Sequence, residues 1–594
     1  MLKRTHMCGE LRSDQSGQTA TLAGWVNTYR DQGKGLIFID LRDRDGMTQI
    51  VFDLEDVDEQ VVTQARALRR EDVIAVKGLV RKREGKANQR LATGEIEIMG
   101  TALEVLNKTE TPPILPDEHD AEKIAEEKRL QYRYIDLRRP RMQGILRTRY
   151  NVTRIARDYF DDNGFLEIET PCLIKTTPEG ARDFIVPSRS YPGQWYALPQ
   201  SPQIFKQILM AAGCDRYLQI VRCFRDEDPR ADRQAEFTQI DLEMSFVERD
   251  DVISVMAGFA QTLFKQVLNI EIGDIPIMPY KEAMDRFGID RPDTRFGLEL
   301  QDISDLAAKT DFRVFSDALA KENGVVKAIR VPGGAEKMSR KVTDGYSEFV
   351  KTFGAGGVPT VKYTENGYET GIAKFVGPIA DKLKERLALE VGDLVFFSAD
   401  TNVVATRALG ELRNKLARDL ELIDKDAWNF LWVVDFPMFE FDPARDRWIA
   451  LHHPFTGPMP GEEDKLESDP GSCISAAYDL VCNGSEIAGG SIRIHQPQMQ
   501  QKVFNLLGID DEEAEQKFGF LLRALRYGAP PMGGIAFGLD RLVMLLVGTN
   551  NIRDVIAFPK TQTGQDLMSE APGPVDPQQL EELNISVNPP EEPV

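Results

Sequence analysis

Apolar positions between residues 18 and 106 fall into five strand-like runs, β-branched or aromatic in character and separated by Gly- and Asp-containing turns. The runs are "QTATLAGWVNTYR", "GLIFIDLRD", "MTQIVFD", "DVIAVKGLVRKR" and "TGEIEIMGTALEVL". After the third, "DEQVVTQARALRR" has the apolar spacing of a helix. "NKTETPPILPDEHD" reads as a linker, and "AEEKRLQYRYIDLRRP" as a charged helical segment ending at Pro140. From about residue 141 a large α/β region begins. Two of its apolar runs, "YLQIVRCF" and "FTQIDLEMSF", predict a hairpin around the loop "RDEDPRADRQAE". Further on, "PPMGGIAFGLDRLVMLLVG" predicts a short Gly-flanked strand and then a helix with Asp540 and Arg541 in its first turn.

Five strands with one helix after the third is the pattern of an OB-fold, which binds oligonucleotides through aromatic and basic residues on one barrel face. Arg30, Phe38, Arg42 and Gln49 are the candidate readers there, with Phe38 equally readable as a barrel-core aromatic. Residues 291–428 differ from their surroundings and read as an inserted α/β domain. The remaining boundaries are 1–107 for the OB-fold, 108–140 for a hinge, 141–290 and 429–562 for the two parts of the large domain, and 563–594 for a Pro- and Glu-rich extension expected to fray.

At 594 residues the chain is too long for a single core. The net charge of −22 argues against an indiscriminate polyanion binder. Residues 1–107 carry 16 Lys and Arg against 17 Asp and Glu, so any nucleic-acid contact belongs to that near-neutral end. Six scattered cysteines with no CxxC pair, no run of about 18 apolar residues and no apolar leader core point to reduced cytoplasm, with no membrane partner.

The hairpin loop is where chemistry concentrates. Arg225 follows the strand-end Phe224, which would anchor its guanidinium for bidentate contact with phosphate. Gln239, Asp241 and Glu243 alternate on one face of the second strand and set acceptors beside it. Glycines 533, 534 and 538 would let backbone approach a flat ligand, and the following helix start, with Arg541, would favour phosphate. Each feature alone has a bland reading as loop or packing.

Together with "GFLEIETPCLIK", these segments follow the order and spacing of motifs 1, 2 and 3 of the class II aminoacyl-tRNA synthetases. The OB-fold in front places the resemblance in the Asp/Asn/Lys subgroup. "TPEGARDF", "ALPQSPQIFKQ", "HHPFTGP", "AGGSIRIHQ" and "NNIRDVIAFPKT" carry it to the bacterial aspartyl-tRNA synthetase family over nearly the whole chain. The resemblance implies a multidomain α+β fold, with an OB-fold barrel and an antiparallel-sheet catalytic domain interrupted by the insertion. It implies ATP as substrate and Mg²⁺ as cofactor, aspartate and tRNA(Asp) as partners with tRNA(Asn) left open, and a homodimer through motif 1.

Carried over residue by residue, Lys206 and Arg493 would face the aspartate side chain. Glu179, Gln203 and Asp241 would hold its ammonium end, Arg225 its α-carboxylate, and His452 would contact it. Arg225, Asp226, Glu227, Gln234, Glu486 and the run Gly538, Leu539, Asp540, Arg541 would bind ATP, with Arg225 and Arg541 neutralising charge during reaction. Asp479 and Glu486 would hold Mg²⁺. Arg30, Gln32, Phe38 and Gln49 would read the anticodon. Rival readings are an asparagine or lysine ligase, disfavoured by Lys206 together with Arg493, and a non-catalytic tRNA-binding paralogue, disfavoured by retention of Arg225, Glu486 and Arg541.

Overall fold

The structure, a computed structural model, describes residues 1–83, 85–117, 119, 123–177, 181–228 and 230–588. The chain divides into two compact units. One is Met1–Tyr150 with Asp228–Gln234 and Val547–Val575; the other is Asn151–Glu227 with Ala235–Leu546 and Asp576–Val594.

The first unit holds a closed five-stranded barrel of Thr19–Asp31, Leu36–Arg42, Met47–Asp53, Val73–Lys82 and Ile96–Asn107. The alternation of strand side chains explains its core: Ile37, Ile39 and Leu41 point inward with Leu22, Ile50, Phe52, Ile74 and Ile98. Phe38 stands on the opposite face and is half-buried, so it is not part of that core. The helix after the third strand spans Glu59–Arg66, and the Asp58 side chain accepts from the Gln60 N–H at 2.8 Å as its cap.

The charged segment after the linker forms two short helices, Glu126–Gln131 and Arg133–Asp136. Pro140 does not simply end it. It opens the long helix Pro140–Asp162, where a proline loses no intrahelical bond. The segment Val547–Val575 sits in the same unit as these helices because the buried Arg133 donates to the carbonyls of Arg553, Ile556 and Ala557 at 2.8, 2.8 and 2.9 Å. The Arg133 charge is offset by Asp136 Oδ2 at 2.6 Å.

The second unit is built on an eight-stranded sheet. Its order is Ile277–Pro279, Phe430–Val434, Ala477–Cys482, Ser485–Ile492, Met532–Gly538, Glu236–Ser245, Arg216–Phe224 and Leu166–Glu167. The six central strands pair antiparallel, while each edge strand pairs parallel with its neighbour. The expected hairpin is present as Arg216–Phe224 against Glu236–Ser245. The Gly-flanked strand, Met532–Gly538, runs into the helix Leu539–Val547.

The region 291–428 has its own antiparallel five-stranded sheet, with strands Leu300–Asp302, Gly324–Val331, Asp393–Thr401, Thr360–Thr364 and Gly367–Glu369. Period-two alternation splits its apolar residues between two cores. Leu394 and Phe396 face the helices Arg340–Lys351 and Asn402–Asp419; Val395 and Phe397 face Arg313–Leu319 and Ala380–Leu387. In the terminal extension a helix, Pro577–Glu582, is capped by Asp576. Among the described residues no helix is long and apolar enough to cross a membrane, and the six cysteines are free.

Candidate active site

A cavity of about 500 Å³ opens over the middle of the eight-stranded sheet. Its floor is a single cross-strand row, Asp241–Ala536–Gly489–Asp479, each residue registered against the next. Strands lie about 4.8 Å apart, so the two carboxylates are separated by roughly 14 Å of floor made from the smallest side chains. The row therefore has two acidic ends and an open middle.

At the Asp241 end the charges are buried and interlocked. Lys206 comes from the helix Gln203–Ala211 and is 2% exposed. Its Nζ lies 3.1 Å from both Asp241 carboxylate oxygens and donates to Oδ2. The same Nζ is 3.2 Å from Glu243 Oε2. Glu243 in turn receives Arg493 in a bidentate grip, at 3.0 Å through Nε and 3.2 Å through Nη2. Arg493 Nη1 also donates to His453 Nε2 at 2.8 Å and to Ser491 Oγ at 2.6 Å. Lys206 and Arg493 thus converge through one shared carboxylate.

Glu243 has room for this because of what stands opposite. Its strand partner is Gly534, and a Cβ built there would sit 1.8 Å from Glu243 Oε2. The sequence reading assigned the glycines at 533 and 534 to close ligand approach. At Gly534 the space is used by Glu243, and at Gly533 a Cβ would instead meet Ile492 Cδ1 at 2.5 Å.

Burial pushes the Asp241 carboxyl up to about 6 against the pull of Lys206. Burial, reinforced by the Arg493 charge, pulls His452 down to about 4 and His453 well below the usual histidine range. Both imidazoles are therefore neutral at physiological pH, and the His453 Nε2 lone pair is free to accept from Arg493. Arg493 itself is held above its ordinary value: burial is the largest single influence and opposes its charge, but Glu243, with Tyr478 and Asp241, together outweigh it. His452 packs edge-on against Phe436 with ring centroids 4.8 Å apart, on the cavity wall.

At the other end, Asp479 and Glu486 both approach Gly489. A Cβ there would lie 2.8 Å from Asp479 Oδ1 and 3.3 Å from Glu486 Oε1. Burial, then Glu486, then Asp290 push the Asp479 carboxyl well above the carboxylate range. Two carboxylates crowding over a residue with no side chain are the donor set a hard divalent cation takes, so the residues present fit Mg²⁺.

Arg225 and Glu227 also line the cavity, as does Gln203, one helical turn before Lys206. The Arg225 backbone N–H donates to Ala235 O at 2.8 Å, and its guanidinium lies 5.1 Å from the centroid of the Phe237 ring. The other proposed ATP residues are placed differently. Arg541 donates from Nη1 to the Glu486 carbonyl at 2.6 Å, bracing the strand whose Glu486 side chain lines the cavity. Asp540 is buried and accepts from the Thr238 N–H at 2.8 Å, tying the helix start to the hairpin. Gly538 pairs with Gln239 in the sheet, and Leu539 is in the core. Asp226 N–H bonds Arg182 O at 3.1 Å. Gln234, in the first unit, accepts from the Lys560 N–H at 2.9 Å. Glu179 lies outside the described residues.

Sequence reasoning passed over His453 and did not include Glu243 among the binding residues. The pair "HHPF" offers no way to tell which histidine meets the arginine. Glu243 was visible only as a third alternating acceptor.

On the barrel, Arg30 stacks 5.8 Å from the Phe38 ring centroid and donates to Gln49 Oε1 at 3.2 Å. Gln49 is 2% exposed. It also accepts from Arg83 at 3.0 Å and donates to Glu97 at 2.8 Å. Glu97 is paired with Arg81 at 2.8 Å. Three arginines therefore crowd one outer patch, with Phe38 as its aromatic. Gln32 is exposed in the loop beside it. Arg42 takes no part in that patch: it is buried, paired with Glu71 at 2.8 Å. Arg81 and Arg83 were missed because "RKREGK" reads as an ordinary charged turn.

Comparison with known proteins agrees with this architecture. Residues 125–562 match the family "tRNA synthetases class II (D, K and N)", and residues 20–106 match "OB-fold nucleic acid binding domain". The aspartate–tRNA(Asp/Asn) ligase of Halothermothrix orenii is 52% identical over 99% of both chains. The aspartate–tRNA ligase of Ruminiclostridium cellulolyticum is also 52% identical, over 99% of this chain and 98% of its own. The asparaginyl-tRNA synthetase of Pyrococcus horikoshii, solved with asparaginyl-adenylate, shares the fold: TM-score 0.58, 19% identity, covering 94% of this chain and 99% of its own. A sheet with two acidic ends, an OB barrel that precedes it in the sequence and full-length identity to these ligases together decide the matter: the chain belongs to the class II tRNA synthetases of the aspartate, lysine and asparagine group, and within it to the bacterial aspartate–tRNA ligases.

Proposed function

We propose that the cavity activates L-aspartate with ATP and that the enzyme then transfers the aspartyl group to the 3′ end of tRNA(Asp). The observation that carries the choice of amino acid is the buried pair Lys206 and Arg493, joined through Glu243 on one wall. An acidic side chain can exchange into those cation contacts; a lysine side chain would meet positive charge there.

An aspartate α-carboxylate oxygen attacks the α-phosphorus of ATP, the bond to the pyrophosphate oxygen breaks, and aspartyl-adenylate forms with pyrophosphate released. Gln203 and Asp241 hold the ammonium end, as does Glu179. His452 contacts the amino acid, and Arg225 spans the α-carboxylate and α-phosphate. Asp226, Glu227, Gln234 and the run Gly538–Arg541 serve ATP, with Asp540 and Arg541 acting by bracing the strands around it. The protein contributes position and charge neutralisation. Asp479 and Glu486 would hold Mg²⁺, which supplies positive charge beside the phosphates when bound. In the second step the 3′-hydroxyl of the terminal adenosine attacks the adenylate carbonyl, AMP leaves, and the hydroxyl proton passes to the AMP phosphate.

Arg30, Gln32 and Phe38 read the anticodon, and Gln49, buried with its amide bonded to Arg30, Arg83 and Glu97, takes part by holding Arg30 and Arg83 in place. The working form is a cytoplasmic homodimer, a reading supported by the exposure of Leu166 and Leu173 in the motif 1 segment, 57% and 52%; light scattering tests it. ATP–pyrophosphate exchange with aspartate, asparagine and lysine tests the activity itself. Exchange with aspartate alone is expected, and exchange with another amino acid at equal efficiency would overturn the assignment. Charging purified tRNA(Asp) and tRNA(Asn) in parallel decides whether the second tRNA is a substrate.

A further inference from the structure

Gln207 is 1% exposed, and neither of its carboxamide atoms has a hydrogen-bond partner among the described residues. It lies on the helix Gln203–Ala211, one position past Lys206 and one turn past Gln203. Positions i, i+3 and i+4 of a helix share a face, so Gln203, Lys206 and Gln207 form one polar triangle. Two corners line the cavity. Gln203 Nε2 is likewise buried and unpartnered. A buried amide left without partners is costly, and native proteins rarely keep one without a use for it. An apolar residue of the same length, methionine, would fill the position without that cost.

We propose that Gln207 is a positioning residue of the amino-acid site. Its carboxamide, together with Gln203 Nε2, holds an ordered water behind Lys206 that fixes the orientation of both side chains toward the bound amino acid. A carboxamide suits this because it offers one acceptor and two donors without adding charge to a crowded ionic cluster. The inference rests on the aspartate-activating reading above, and its test compares variant with wild type, so that absence of exchange in the wild type would count against that reading instead.

The test is Gln207→Met in the full-length enzyme, assayed by ATP–pyrophosphate exchange. The KM for aspartate should rise roughly tenfold, as expected when one net hydrogen bond is lost, while the KM for ATP changes less than twofold. An unchanged aspartate KM with a raised melting temperature would overturn the proposal, since that is the behaviour of a merely unsatisfied amide. Should the methionine variant fail to fold, Gln207→Glu keeps the shape and one acceptor but loses the donors and adds negative charge. It should weaken aspartate more than ATP, and equal KM values for both substrates relative to wild type would equally overturn the role.

Discussion

Removing the Lys206 charge should damage binding and stability together, with a pH signature that identifies the cause. In Lys206→Met the stem volume is kept, but Asp241 loses the cation it is paired with and, among the described residues, Glu243 keeps Arg493 alone. Breaking a buried pair from one side costs about 3–5 kcal/mol. The Asp241 carboxyl already stands at about 6 rather than 3.8, with burial the largest cause and Lys206 the largest opposing influence. Without the lysine it rises further and the group takes a proton. Keeping a carboxyl of ordinary value 3.8 protonated at pH 7.5 costs about 5 kcal/mol, and at pH 5.5 about 2 kcal/mol. A raised carboxyl binds more protons folded than unfolded, so it loses stability as pH rises through its folded value. In the wild type that loss is nearly complete by about pH 6; in the variant it continues upward. Urea unfolding at the two pH values should therefore show the variant's deficit shrinking by about 2 kcal/mol at the lower pH. The double variant Lys206→Met, Asp241→Asn should recover much of the stability but not aspartate exchange. Exchange assays on Lys206→Met should show an aspartate KM raised at least a hundredfold. A deficit independent of pH, together with a KM within threefold of wild type, would refute the pairing as the basis of recognition.

Three other outcomes follow from the geometry. Phe38→Ala removes the ring under Arg30 and should weaken tRNA use by about 1–3 kcal/mol, leaving tRNA-independent pyrophosphate exchange intact; equal loss of both would refute the separation of roles. His452, neutral in the fold at about 4 but near 6.5 when unfolded, should cost the wild type about 3 kcal/mol as pH falls from 6.5 to 4. His452→Phe should flatten that limb of a thermal-unfolding profile, and an identical profile would show the ring is not so buried. Asp479→Asn should raise the Mg²⁺ concentration for half-maximal exchange by roughly tenfold or more, the factor given by 1.4 kcal/mol of lost binding; an unchanged Mg²⁺ titration would place the ion elsewhere.

Much of the fold was legible because its signals are local. The barrel strands announce themselves by β-branched runs and turn residues, and the hairpin around Arg225 by two apolar runs bracketing charge. The register was not legible. That Asp241, Ala536, Gly489 and Asp479 form one row depends on three separate strand pairings, none encoded in any single stretch. For the same reason the glycines at 533 and 534 looked like ligand-approach glycines, when one leaves room for Glu243 from a strand nearly 300 residues earlier. Pro140 was read as a stop because proline punctuates helices at either end. The run Gly538–Arg541 looked uniform in sequence, yet the structure gives each residue separate work in the sheet, the core, the hairpin and the Glu486 strand.

The four interlocked side chains at the Asp241 end carry two positive and two negative charges. An arriving amino acid therefore meets no uncompensated electrostatic well; it has to trade places with internal partners already satisfied. Discrimination there is a matter of which newcomer can take over those contacts on equal terms. Asparagine, isosteric but uncharged, would fail by being a poor substitute rather than by being repelled.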